Sequence, residues 1–181
     1  GFLSKVIENT DKNSNNLDFK RLGKFISKKE AIKGMKSFFE EICSKNKKQQ
    51  FAIENSGSFT SKENIFFDKP SVIAKFLSNS PSNLGLNLNI AHLYLSSLVH
   101  KFDMNKALKL LSKYAVAIEV SHFEDINDSH KPLREESLVL NYLKSLLGSI
   151  QKEVPIILEL RPSSNYELLN SIKILENIQT D

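Results

Sequence analysis

The segment 115-AVAIEVSHFEDINDSHKPL-133 decides how the rest of the chain is read. It opens with small and β-branched residues, Val116-Ala117-Ile118-Glu119-Val120, a composition that predicts a buried strand. Directly after it come His122, Asp125, Asp128 and His130. A strand that breaks into histidines and carboxylates delivers ligands at its carboxyl end, where α/β barrels keep their chemistry. Taken singly, each of these residues reads first as a solvated loop polar or a helix cap. Their weight comes from the same event recurring along the chain.

Working outward, three more strand-like segments appear: Gln50–Asn55 (QFAIEN), Leu84–Ile90 (LGLNLNI) and Val154–Leu160 (VPIILEL). Counting the opening segment there are four, and a helical pattern follows each: residues 70–79 with Pro70 at the start, residues 93–114, residues 135–152, and residues 165–178. Ser27 to Glu30 and Ser164 to Glu167 have the Ser-x-x-Glu form of a capping box. The helix opened by the first box carries Ala31, Met35, Phe38, Phe39 and Ile42 at helical spacing, a core stripe. Residues 1–27 read as a polar loop with a short helix from Leu17, and residues 28–181 as a helix followed by four βα units in a single domain. Strands alternating with helices predict crossover connections and a parallel sheet, with strands apolar on both faces.

The composition permits one domain of ordinary size. The chain has 181 residues, 40% of them hydrophobic and 25% charged, the balance of a globular protein with a real core. Its net charge of +4 is the excess of 25 basic over 21 acidic residues, and the basic ones are spread out, which allows an anionic partner without indicating one. Cys43 stands alone, so there is no disulfide framework and no paired-cysteine metal knuckle; a reducing, cytoplasmic setting is expected. No apolar run approaches ~18 residues and no signal peptide is visible, so no membrane partner is expected.

Each predicted strand ends in a group that can hold a cation: Glu54; Asn89 with His92; His122 with Asp125, Asp128 and His130; and Glu159. A carboxylate within an apolar strand is costly to bury unless it is paired or metal-bound, and both Glu54 in FAIEN and Glu159 in IILEL face that cost. Imidazole and carboxylate donors together suit a divalent metal, Zn²⁺ or Mn²⁺ above all. Glu119 lies out of phase with His122 along its strand and is expected to point away from the site. His100 and Lys101 are expected on a helix surface.

Four pieces, FAIENSGS, NLNIAHLY, SHFEDINDSH and PIILELRP, give residues 50 to 162 a resemblance to the carboxyl half of the xylose-isomerase-like barrel superfamily. That superfamily holds sugar isomerases, epimerases and the apurinic endonuclease IV family. The resemblance implies a partial (β/α)₈ TIM barrel of about four carboxyl-terminal units. It further implies a metal on Glu54, Asn89, His122 and Glu159, with Glu54 and Glu159 relaying protons. In the endonuclease branch His92, Asp128 and His130 match a second metal set; in the isomerase branch that neighbourhood, with Asp125, meets substrate hydroxyls.

The sequence departs from the family pattern in three ways. Asn89 stands where the family has Asp; Leu133-Arg134-Glu135-Glu136 lacks the glycine turn that follows the Asp-x-His segment; and the amino half of the barrel is not in these 181 residues, where a complete one needs roughly 250. An amino half-barrel is therefore expected from a longer polypeptide or a partner chain, since open sheet edges invite aggregation. The leading functional expectation is a metal-dependent isomerase or epimerase of a small sugar-like substrate. The alternatives are a phosphodiesterase acting on abasic DNA and a degenerate, non-catalytic barrel.

Overall fold

The structure is a computed structural model that describes residues 27–58, 66–123, 130–161 and 163–179. The expectations for residues 1–26, and those for Asp125 and Asp128, lie outside the described residues. Packing divides the chain into two units, residues 1–38 and 39–181.

In the first unit the described part is the start of α1 (Lys28–Lys45). The expected capping box is formed: Ser27 N–H and Oγ–H donate to Glu30 Oε2 at 3.1 and 2.8 Å, and Glu30 N–H donates back to Ser27 Oγ at 3.2 Å. Phe38, expected in the core, is instead 57% exposed. The buried stripe of this helix runs one step further round, through Phe39, which meets Phe76 edge-on at 6.4 Å, and Cys43.

The second unit is built on four parallel strands in the order β1-β2-β3-β4: β1 (Phe51–Glu54), β2 (Leu84–Asn89), β3 (Ala115–Val120) and β4 (Ile156–Leu158). The helices between them are α2 (Pro70–Leu77), α3 (Ile90–His100), α4 (Met104–Leu111) and α5 (Leu138–Leu147), and α6 (Asn165–Gln179) follows β4. Helices α2 and α3 pack on β2, α3 also on β3, and α4 bridges α2 and α5. Towards them the strands turn Ile53, Leu86, Leu88, Ile118 and Val120, all buried. Each such side chain removed from water contributes about 1.5–3 kcal/mol, so this layer is the main source of stability.

The pattern expected as one helix over residues 93–114 is two. Lys101 takes a left-handed conformation, φ 58°, and closes α3, its N–H donating to the Ser97 carbonyl. Asp103 then caps α4 by accepting from Lys106 N–H at 2.8 Å. Apolar periodicity runs across this break because both helices face the same core. His100, expected on the surface, is largely buried, with Nε2 2.7 Å from Asp68 Oδ2.

One irregularity governs the other face of the sheet. Leu86 pairs with Ala115 but Asn87 pairs with Ala117, which leaves Val116 as an extra residue in β3, a β-bulge. The bulge brings Glu119 rather than Ile118 opposite Asn89. It fits because Gly85 has no side chain: a Cβ there would meet both Val116 methyls, lying 2.8 Å from Cγ2, and would come within 3.0 Å of the Tyr114 carbonyl. Gly85→Ala is expected to lower unfolding free energy by about 1–3 kcal/mol in denaturant titration, as overpacking does. Adding Val116→Ala should recover most of that loss, and equal instability in single and double variants would refute the packing argument.

Candidate metal centre

Side chains alternate across a strand, so the register fixes who meets on the face opposite the helices. Glu54 aligns with Asn87, Asn89 with Glu119, and Glu119 with Ile157, two residues before Glu159. The result is that Glu54, Glu119 and Glu159 each bring a carboxylate oxygen within 4.8 Å of the others at the carboxyl ends of β1, β3 and β4. Among the described residues these are the groups that converge so closely.

Asn89 holds them together. Its Nδ2 donates to Glu159 Oε2 at 2.8 Å and lies 3.2 Å from both Glu54 Oε1 and Glu119 Oε2. Its Oδ1 faces the other way and accepts His92 N–H at 3.1 Å, capping α3. The backbone of Asn89 is itself clamped by Asn55, whose Nδ2 donates to the Asn89 carbonyl at 2.9 Å and whose Oδ1 accepts the Asn89 N–H at 2.8 Å. With the oxygen committed to the cap, Asn89 meets the carboxylates as a hydrogen-bond donor.

Two imidazoles flank the trio. His92 Nδ1 lies 3.0 Å from Glu54 Oε1 and His130 Nδ1 lies 3.1 Å from Glu159 Oε2. The rings meet edge-on with centroids 5.8 Å apart. His130 sits in the left-handed region at φ 42°, a conformation that persists only where surrounding structure enforces it. The Arg161 N–H donates to its carbonyl at 2.9 Å and ties it to the chain after β4.

His122 is placed elsewhere. It is buried, with Nδ1 2.8 Å from Ser137 Oγ at the start of α5, and is not among the converging groups. Parity along β3 does separate Glu119 from His122, but in the opposite sense to the expectation: Glu119 faces the site and His122 does not. Sequence reasoning missed Glu119 because nothing in AVAIEV announces the bulge. The tertiary signal that finds it is the Gly85–Val116 contact.

The environments of two of the carboxylates differ. The hydrogen bond from His92 holds the Glu54 carboxyl below the usual range, assisted by its charge and by Asn89. Burial pushes Glu119 up, as do the charges of Glu54 and Glu159, against the amides of Asn87 (2.6 Å) and Asn89. Compared with known proteins, the chain matches no family model and no curated protein. What the fold establishes is an α/β protein with an all-parallel sheet, and no helix among the described residues is long and apolar enough to cross a membrane.

Two outcomes follow from this geometry. Asn89→Asp keeps the α3 cap but adds a fourth charge, so in chelator at neutral pH it should lose roughly 1–2 kcal/mol, screened because Glu54 and Glu159 are partly exposed. The deficit should shrink on acidification and reverse on adding Mn²⁺; a deficit independent of both would show that charge is not its cause. For Glu119 the sign is set by its raised pKa: the penalty exists above that pKa and disappears below the ordinary carboxylate range. Wild type should therefore gain stability relative to Glu119→Ala as pH falls from neutral, measured by melting temperature against pH. A difference that is flat or widens against wild type would contradict the assignment.

Proposed function

We propose that this chain is a divalent-cation-dependent isomerase or epimerase of a small sugar-like substrate, and that its sheet is the carboxyl part of a (β/α)₈ barrel. The observation that carries the reading is the convergence of Glu54, Glu119 and Glu159 within 4.8 Å at strand carboxyl ends, flanked by His92 and His130. The donor set fits a cation: oxygen ligands with neighbouring imidazoles suit Mn²⁺ or Zn²⁺. Glu54, Glu119 and Glu159 would hold it, and such an ion supplies polarisation of a carbonyl and hydroxyl pair. The likeness of residues 50 to 162 to the xylose-isomerase-like superfamily supports the same class.

The chain's own residues divide the proton work. Glu54, kept ionised by His92, accepts a proton at a carboxylate oxygen. Glu159, the other strand-end carboxylate, returns one. His130 orients Glu159. The barrel reading is supported by the face that bears the site, where Ala52 is exposed and Ile157 is 40% exposed, although parallel sheets are buried on both faces. An amino half-barrel, from a longer polypeptide or a partner chain, would cover it.

A second reading, a phosphodiesterase acting at abasic DNA, is favoured by the pairing of His92 and His130, two imidazoles placed to serve a further cation. The non-catalytic reading is favoured by Asn89, whose amide already offers the trio a positive pole.

Calorimetric titration with Mn²⁺ and Zn²⁺ is the test. One equivalent is expected to bind, about tenfold or more weaker in Glu159→Gln and Glu119→Gln and unchanged in His122→Ala. Aldose–ketose interconversion or epimerisation should accompany it; nicking of abasic duplex with two metal equivalents would support the second reading instead. No cation bound at neutral pH would sink both enzymatic readings and leave the third.

A further inference from the structure

The hydroxyl of Ser121 is buried and unused. Ser121 follows the last residue of β3, is 1% exposed, and its Oγ has no hydrogen-bond partner among the described residues. Such a group forfeits its hydration with nothing in return, a cost that native structures rarely tolerate without a reason.

Its neighbours locate it. Val120 is turned towards the helices and is 1% exposed, and His122 is engaged with Ser137. Extended backbone continues through this point, since Glu159 N–H donates to the Val120 carbonyl at 3.1 Å and His122 exchanges backbone hydrogen bonds with Lys131 at 2.9 and 3.0 Å. Alternation therefore returns Ser121 to the face that carries Glu119. It stands two residues beyond Glu119 towards the carboxyl end of the strand, a separation of roughly 7 Å along the chain. That is the reach of a short polyol with one end at the carboxylates.

We propose that Ser121 is a substrate-binding residue, its hydroxyl reserved for a hydroxyl of a bound polyol-like ligand. The assignment rests on the reading of the carboxylate cluster as the substrate site and adds the group that recognises the substrate's far end. Among the described residues Ser121 hydrogen-bonds to no carboxylate and is not one of the groups that converge as a cation site. It selects for a ligand long enough, and hydroxylated at the right place, to satisfy it. A deoxy analogue leaves the serine unpaired and should be disfavoured.

The full chain and Ser121→Ala are compared by calorimetry and thermal melting, with Mn²⁺, then xylitol or sorbitol in the presence of Mn²⁺. Polyol binding should be about tenfold weaker in the variant, the equivalent of one hydrogen bond. Mn²⁺ affinity should be the same in both, and the unliganded melting temperature of the variant equal or higher, because an orphaned polar group has been removed. Equal polyol affinity in the two proteins overturns the assignment, as does a lower melting temperature in the variant, which would show that the hydroxyl serves the fold. Wild type that binds Mn²⁺ but neither polyol also overturns it and leaves the cation site standing. Serine-dependent polyol binding without Mn²⁺ binding upholds it and removes the metal reading.

Discussion

The bifurcated commitment of one amide, Asn89, is the interaction on which the rest of this structure depends. Its oxygen starts α3, its nitrogen gathers three carboxylates, and its backbone is locked to the end of β1 by Asn55. Like charges this close repel, and each lowers its neighbours' tendency to ionise. A neutral donor in their midst relieves part of that repulsion without adding a net charge. The end of β2 is thus at once a structural joint, through the amide oxygen, and the organising point of the site, through the nitrogen.

That joint requires the strands to be in the correct register, and the register rests on a glycine. Gly85 makes room for Val116, Val116 is the extra residue of the bulge, and the bulge carries Glu119 to the level of Asn89. Bulges of this kind re-aim side chains next to functional sites. The helix-facing layer, from Ile53 to Val120, holds the sheet stiffly enough for such a shift to persist.

The two histidine pairs give the site its asymmetry. His92 comes from the first turn of α3 and His130 from the chain beyond β3, so Glu54 and Glu159 are each steadied from a different side. Glu119 has amides for partners instead, and its carboxyl is displaced in the opposite direction from that of Glu54.

The sequence by itself determined the parallel α/β class, four strand cores, the placing of Glu54, Asn89 and Glu159 at strand ends, and both capping boxes, the second formed by Ser164 N–H and Oγ–H donating to Glu167 Oε2 at 2.8 and 2.7 Å. These depend on local periodicity and on hydrogen bonds spanning three residues, which the order of residues displays directly. It did not reveal the break at Lys101, because a left-handed lysine leaves the apolar spacing intact. Nor did it decide between Glu119 and His122. Strand parity says only that the two face opposite ways; which of them faces the carboxylates was decided by the extra residue at Val116 and the absent side chain at Gly85, a contact between residues far apart in the chain. The direction of the Asn89 amide was likewise settled only by tertiary structure, since a helix start, two neighbouring strands and three carboxylates must all be in place before its oxygen and nitrogen have separate partners.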